Sequence, residues 1–232
     1  MHFLKAAAFA AVALATLSLP AAALPLTPGG LVFPGGTSVA ADPDLVGTVE
    51  NDNLITALFQ NGIFVAGYDV QNRVTRSGNT GALIFGPRIT ALLNNGFSDN
   101  FQVIGFDLTG FGGFDLDADF RTDGLGDTGF SSISRSGDGD LLSFIFESPL
   151  RNGQLDQDPH VDSLFPSLVT NAMAFDLSGT MTIYGRRIED GLTLSTTITG
   201  LAAPTTVVPL PTSATFLLGA VGLFGFLGRR KA

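Results

Sequence analysis

The chain has 232 residues, no cysteine, and 21 acidic residues against 12 lysines and arginines. That length suits one domain plus processing segments. The missing cysteines exclude disulfide staples and thiol nucleophiles, and the acidic surplus repels phosphate backbones, which excludes nucleic acid as a partner.

The N-terminal stretch MHFLKAAAFAAVALATLSLPAAALP reads as a secretory signal peptide over residues 1–23. Lys5 supplies the positive start, Ala6 to Leu19 the apolar run, and Ala21 and Ala23 the small-residue cleavage site. With Lys5 and the C-terminal Arg229, Arg230 and Lys231 set aside, the middle keeps eight arginines against all 21 acids, a formal charge of −13. Such a surface favours solubility outside the cell or attraction of divalent cations.

Residues 24–203 predict an all-β domain, because short runs alternate apolar and polar residues between clusters of turn residues. VGTVE and LITALF flank Asn51-Asp52-Asn53, a turn-like triplet, and GIFVAGYDV follows Gln60-Asn61. RSGNTG precedes ALIFGPRITALL; then come FQVIGFDL, FDLDADFR, FSSISR and LLSFIFE, joined by TGFGG, TDGLGDTG and SGDGD. In FDLDADFR, Phe114, Leu116, Ala118 and Phe120 point one way and Asp115, Asp117, Asp119 and Arg121 the other. About nine or ten such strands suggest a single two-sheet sandwich or jelly roll. Fifteen phenylalanines between Phe33 and Phe175 supply its core, at roughly 150–250 Å² buried apiece.

The acidic run beginning at Asp115 is the strongest candidate for chemistry. DLDADFRTDGLGD opens like a calcium loop but has Phe120 where glycine is required and Gly126 where the closing glutamate belongs. DGLGD and GDGD are better shaped, so a calcium ion would use Asp123, Asp127, Asp138 and Asp140; the competing reading is a solvated acidic face. Nucleophilic catalysis is poorly supplied: the middle has one histidine, His160, and no Gly-x-Ser-x-Gly elbow. Glycoside hydrolysis would draw on Glu50, Glu147 and Glu189, which read as exposed strand-end or turn acids. The absence of tryptophan argues against an aromatic sugar platform. No catalytic residue and no obligatory cofactor is expected.

VDSLFPSL suggests one short helix capped by Asp162. After LTLSTTIT, residues 204–211 (PTTVVPLP) read as an extended proline-rich linker. From Pro211 to Gly228 there is no charge; as a helix those residues would rise about 27 Å, just short of a ~30 Å hydrocarbon core. Residues 212–228 are therefore expected to form a transmembrane helix, and Arg229, Arg230 and Lys231 in the tail 229–232 to stay cytoplasmic by the positive-inside rule.

The order of proline motif, short apolar helix and basic stop resembles the PEP-CTERM sorting signal of Gram-negative bacteria, and more closely its VPLPA variant. The motif is Val208, Pro209, Leu210 and Pro211; Leu210 replaces the acid of the founding motif, and Thr212 stands where the variant has alanine. The resemblance covers about 25 residues. It implies processing by an exosortase-type membrane enzyme after export through the secretion translocon, with Pro209 and Pro211 recognised and Arg229 to Lys231 acting as the stop. The expected precursor sits in the inner membrane with its domain in the periplasm. The product would be a non-enzymatic protein of the cell surface or exopolysaccharide matrix. The alternative is a calcium-dependent adhesin or glycan-binding module.

Overall fold

The computed structural model describes residues 23–92, 101–151 and 160–206. In chain order the strands are β1 (Leu24–Pro25), β2 (Leu31–Val32), β3 (Gly47–Asn61), β4 (Phe64–Ser77), β5 (Leu83–Ala91) and β6 (Phe101–Leu108). They continue as β7 (Leu116–Phe120), β8 (Phe130–Arg135), β9 (Leu142–Arg151), β10 (Pro166–Thr170), β11 (Ala174–Arg187) and β12 (Thr193–Thr205). A single 3₁₀ turn, Pro43–Leu45, precedes β3, and the described residues contain no α-helix. The expected all-β sandwich is present as two six-stranded antiparallel sheets. One runs β1-β7-β10-β5-β4-β3 and the other β12-β11-β6-β9-β8-β2.

The core between the sheets is where the alternation in the sequence pointed. Phe106, Phe130, Phe144 and Phe146 of one sheet form an aromatic cluster, with Phe106 and Phe144 stacked at 4.4 Å between ring centroids. Phe59 and Tyr68 of the other sheet meet Phe101 across the gap. Each such ring pair adds roughly 0.5–1.5 kcal/mol beyond its buried area. Strand β5 is covered on both faces. Leu83, Phe85 and Ile89 face the core, while Ile84 and Arg88 are buried on the opposite side, where Phe165 packs.

Four details differ from the sequence reading. Asn51-Asp52-Asn53 is not a turn: β3 runs unbroken through it, and a bulge at Glu50 takes up the irregularity. The two asparagines instead bracket the buried Asn72 of β4, Asn51 donating to its carbonyl and Asn53 accepting from its side chain. VDSLFPSL is not helical either, because its backbone finds partners in other strands. Ser163 pairs with Thr128 and its hydroxyl accepts from the Ile89 N–H, and β10 starts at Pro166. Asp162 accordingly caps nothing; its carboxylate accepts from the Ala91 N–H at 2.8 Å. The boundary at 203 moves outward, since Pro204 and Thr205 complete β12, an edge strand that tolerates proline. Last, Asp119 is not on a solvated face, being 3% exposed.

Candidate functional site

The first sheet and its adjoining loops carry four arginine–carboxylate pairs, and Arg73, Arg121 and Asp123 from these pairs line one cavity on its outer face. Arg73 binds Asp52 through two nitrogens at 3.0 and 2.9 Å, and Arg76 binds Glu50 at 2.6 and 2.9 Å. Arg88 meets Asp162 at 2.9 Å, and Arg121 meets Asp123 at 2.9 Å. Half of the eight arginines of the middle are thus matched charge for charge, Arg73, Arg88 and Arg121 on the outer face and Arg76 on the side of β4 that carries Asn72 and Val74. Phe165 organises the group, with the Arg73 guanidinium 4.5 Å and the Arg88 guanidinium 5.5 Å from its ring centre.

Strands position these groups in a simple way. The alternation of β4 turns Val70, Asn72 and Val74 inward and Arg73 and Thr75 outward. The β10 lead-in lays Phe165 over β5, and the loop after β7 brings Arg121 to Leu125 across the top. The cavity, open to solvent on one side, is about 330 Å³, at the lower end of small-molecule sites. Its walls combine the apolar Leu45, Ile84 and Leu125 with the Thr75 hydroxyl and two guanidiniums.

Electrostatics here favour ionised carboxylates. The hydrogen bond from Arg73 holds Asp52 below its ordinary value against a smaller burial effect. At Asp123 burial opposes the charge, but the Val39 N–H and the Arg121 guanidinium together outweigh it and lower the pKa. Such a cavity offers hydrogen-bond donors and apolar walls; its own aspartate is held in the charged form.

A second buried cation belongs to the other sheet, at the end of β8. Arg135, 4% exposed, donates to four backbone carbonyls, those of Leu26, Phe111, Phe114 and Gly139, at 2.8–2.9 Å. Burial pushes its pKa down, while Asp115 and Asp140 oppose that shift. It ties the N-terminal strand, the loop after β6 and the β8–β9 hairpin together.

The aspartates assigned to calcium occupy separate local roles. Asp123 accepts from Val39, Asp127 from the Asp162 N–H, Asp138 from Ser136 and the Asp140 N–H, and Asp140 from the Gly110 and Gly112 N–H groups. Among the described residues no three histidines, aspartates or glutamates gather as a metal ion requires. Glu147 lies on the exposed side of β9, and His160 and Glu189 are exposed; none lines the cavity. Ala23 is half-buried just before β1. Ala21, the motif Val208–Pro211, the helix over 212–228 and the basic stop Arg229, Arg230 and Lys231 lie outside the described residues. No helix among the described residues is long and apolar enough to cross a membrane.

The sequence reading missed Arg73, Thr75, Arg121 and Phe165 as one group. Continuing the alternation of GIFVAGYDV through Arg73 and Thr75 would have put both on the outer face, but nothing local announces Phe165. The chain matches no protein-family model, no curated protein and no solved structure.

Proposed function

We propose that this is an exported protein whose C-terminal tail is read by an exosortase-type membrane enzyme, and whose sandwich is delivered to the cell surface or exopolysaccharide matrix as a non-catalytic module. One observation carries this reading: Val208-Pro209-Leu210-Pro211, an uncharged stretch to Gly228, then Arg229-Arg230-Lys231, in that order. The end of β12 at Thr205 supports it, since the motif begins three residues later, near enough to be handed over by a folded domain. The strong acid surplus of the middle also suits a soluble life outside the cell.

Mass spectrometry of both termini in the native protein tests the proposal. The expected product starts near Leu24 and ends near Pro211, and replacing Pro209 and Pro211 by alanine abolishes the C-terminal cut. An intact Ala232 recovered from the membrane fraction would instead mean a permanent anchor and would overturn sorting.

A further inference from the structure

We propose that β3 is the contact strand of a homodimer, pairing antiparallel with β3 of a second copy about a two-fold axis at Thr56. The sandwich has four sheet edges. Two, β1 and β2, are only two residues long and offer no ladder. The edge β12 is interrupted by Gly200, which has a φ of +85°, and carries Pro204, which lacks a donor. Its exposed residues are Thr193, Ser195, Thr197 and Thr199. Only β3 is long and lacks such protection. Beyond its bulge at Glu50 it has no proline, no glycine and no lysine, and it pairs with β4 alone. A long edge of this kind is a template for another strand.

Two properties of β3 select a second copy as the occupant. The first is charge. Copies whose middle carries −13 repel one another, yet from Leu54 to Asn61 there is no charged residue. This is the stretch where two acidic bodies can approach with no like charge opposed on the contact strand. The second is self-complementarity. Leu54 is 64% exposed and Leu58 42% exposed, on the same face with Thr56 between them. Opposed residues in an antiparallel pair share a face, so a two-fold axis at Thr56 sets Leu54 against Leu58 of the second copy, twice, and Thr56 against itself. Four exposed leucines become one apolar strip flanking a threonine pair. On the inner face the same register opposes Ile55 and Ala57. Asp52, the nearest charge on the strand itself, is already matched by Arg73 within its own chain, and Asp69 of the neighbouring β4 accepts from the Thr56 hydroxyl at 2.7 Å.

The absence of cysteine makes the test clean, because one introduced thiol is the only thiol. Directly opposed residues approach to about 4.5–5.5 Å between Cα atoms, within the range a disulfide spans. In the full chain, mild oxidation of Thr56→Cys is expected to give a covalent dimer, while Thr199→Cys on the exposed part of β12 stays a monomer. Adding Leu54→Lys and Leu58→Lys to Thr56→Cys is expected to slow cross-linking by roughly tenfold or more. Because the readout is position-specific, association through the apolar tail cannot imitate it. Cross-linking of Thr56→Cys no faster than Thr199→Cys, or unaffected by the lysines, overturns the proposal; either result leaves the sorting reading untouched.

Discussion

Asp119 holds a carboxylate under protein. Its side chain accepts from the Gly36 N–H at 2.8 Å and the Phe120 N–H at 2.9 Å. Burial outweighs these bonds and raises the pKa above the ordinary aspartate value. A raised folded-state pKa means the native protein binds the proton more tightly than the unfolded chain. The charged form therefore costs stability, and that cost fades as the pH falls into the window just above the ordinary value. Asp52 and Asp123 act in the opposite sense, since their lowered values give stability that is lost on further acidification. Asp119→Asn is expected to isolate the first effect. Thermal melting should show the variant gaining most on the parent at about pH 7, with the difference shrinking as the pH approaches about 4. A constant difference across that range would show that folding does not raise the pKa of Asp119. Alternation placed this residue on the correct face of β7, but a period of two cannot see a second layer. The segment ending at Thr37, which bridges to Arg121, covers the residue from outside.

Strands were legible wherever one face is apolar, and less so where pairing overrode local composition. FQVIGFDL and LTLSTTIT emerge as β6 and within β12, whereas β10 hid inside a helix-like phrase because its donors and acceptors are met by distant strands. Register irregularities were also invisible. β11 slips against β6 between Tyr184 and Gly185, and a Cβ on Gly185 would stand 2.2 Å from the Gln102 carbonyl oxygen. The backbone φ there is not positive, so close approach and not handedness demands the glycine. Gly185→Ala is expected to cost about 1–3 kcal/mol through overpacking at the bulge, read as a lower urea midpoint with an unchanged slope. A midpoint equal to that of the parent would mean the two central strands can separate freely.

At the scale of the molecule, composition and periodicity were enough for a Phe-rich sandwich but not for its outer surface. Three of the four arginine–carboxylate pairs join residues 21, 26 and 74 positions apart, so no window along the chain contains both partners. The same dispersion bears on calcium. The aspartates singled out by their spacing serve as local backbone acceptors, and the acidic total is distributed without a converging set among the described residues. Millimolar calcium is therefore expected to leave the melting temperature unchanged within about a degree, since only ligands that favour the native state raise it. A rise of several degrees would revive an ion-dependent adhesive role.

The two longest hairpins also give the body a direction. β12 leaves the fold at Thr205, opposite Ala174, whereas the β11–β12 turn lies at the far end, where Arg187 covers the Phe64 ring beside the β3–β4 tip. Thirteen residues of β12, at about 3.3 Å each, put roughly 40 Å between those ends. A particle tethered through its last strand would carry fully exposed Ile63 and half-exposed Ile188 at its crown, so whatever meets it from outside touches these two isoleucines together with the exposed Glu189 and Asp190 of the same turn.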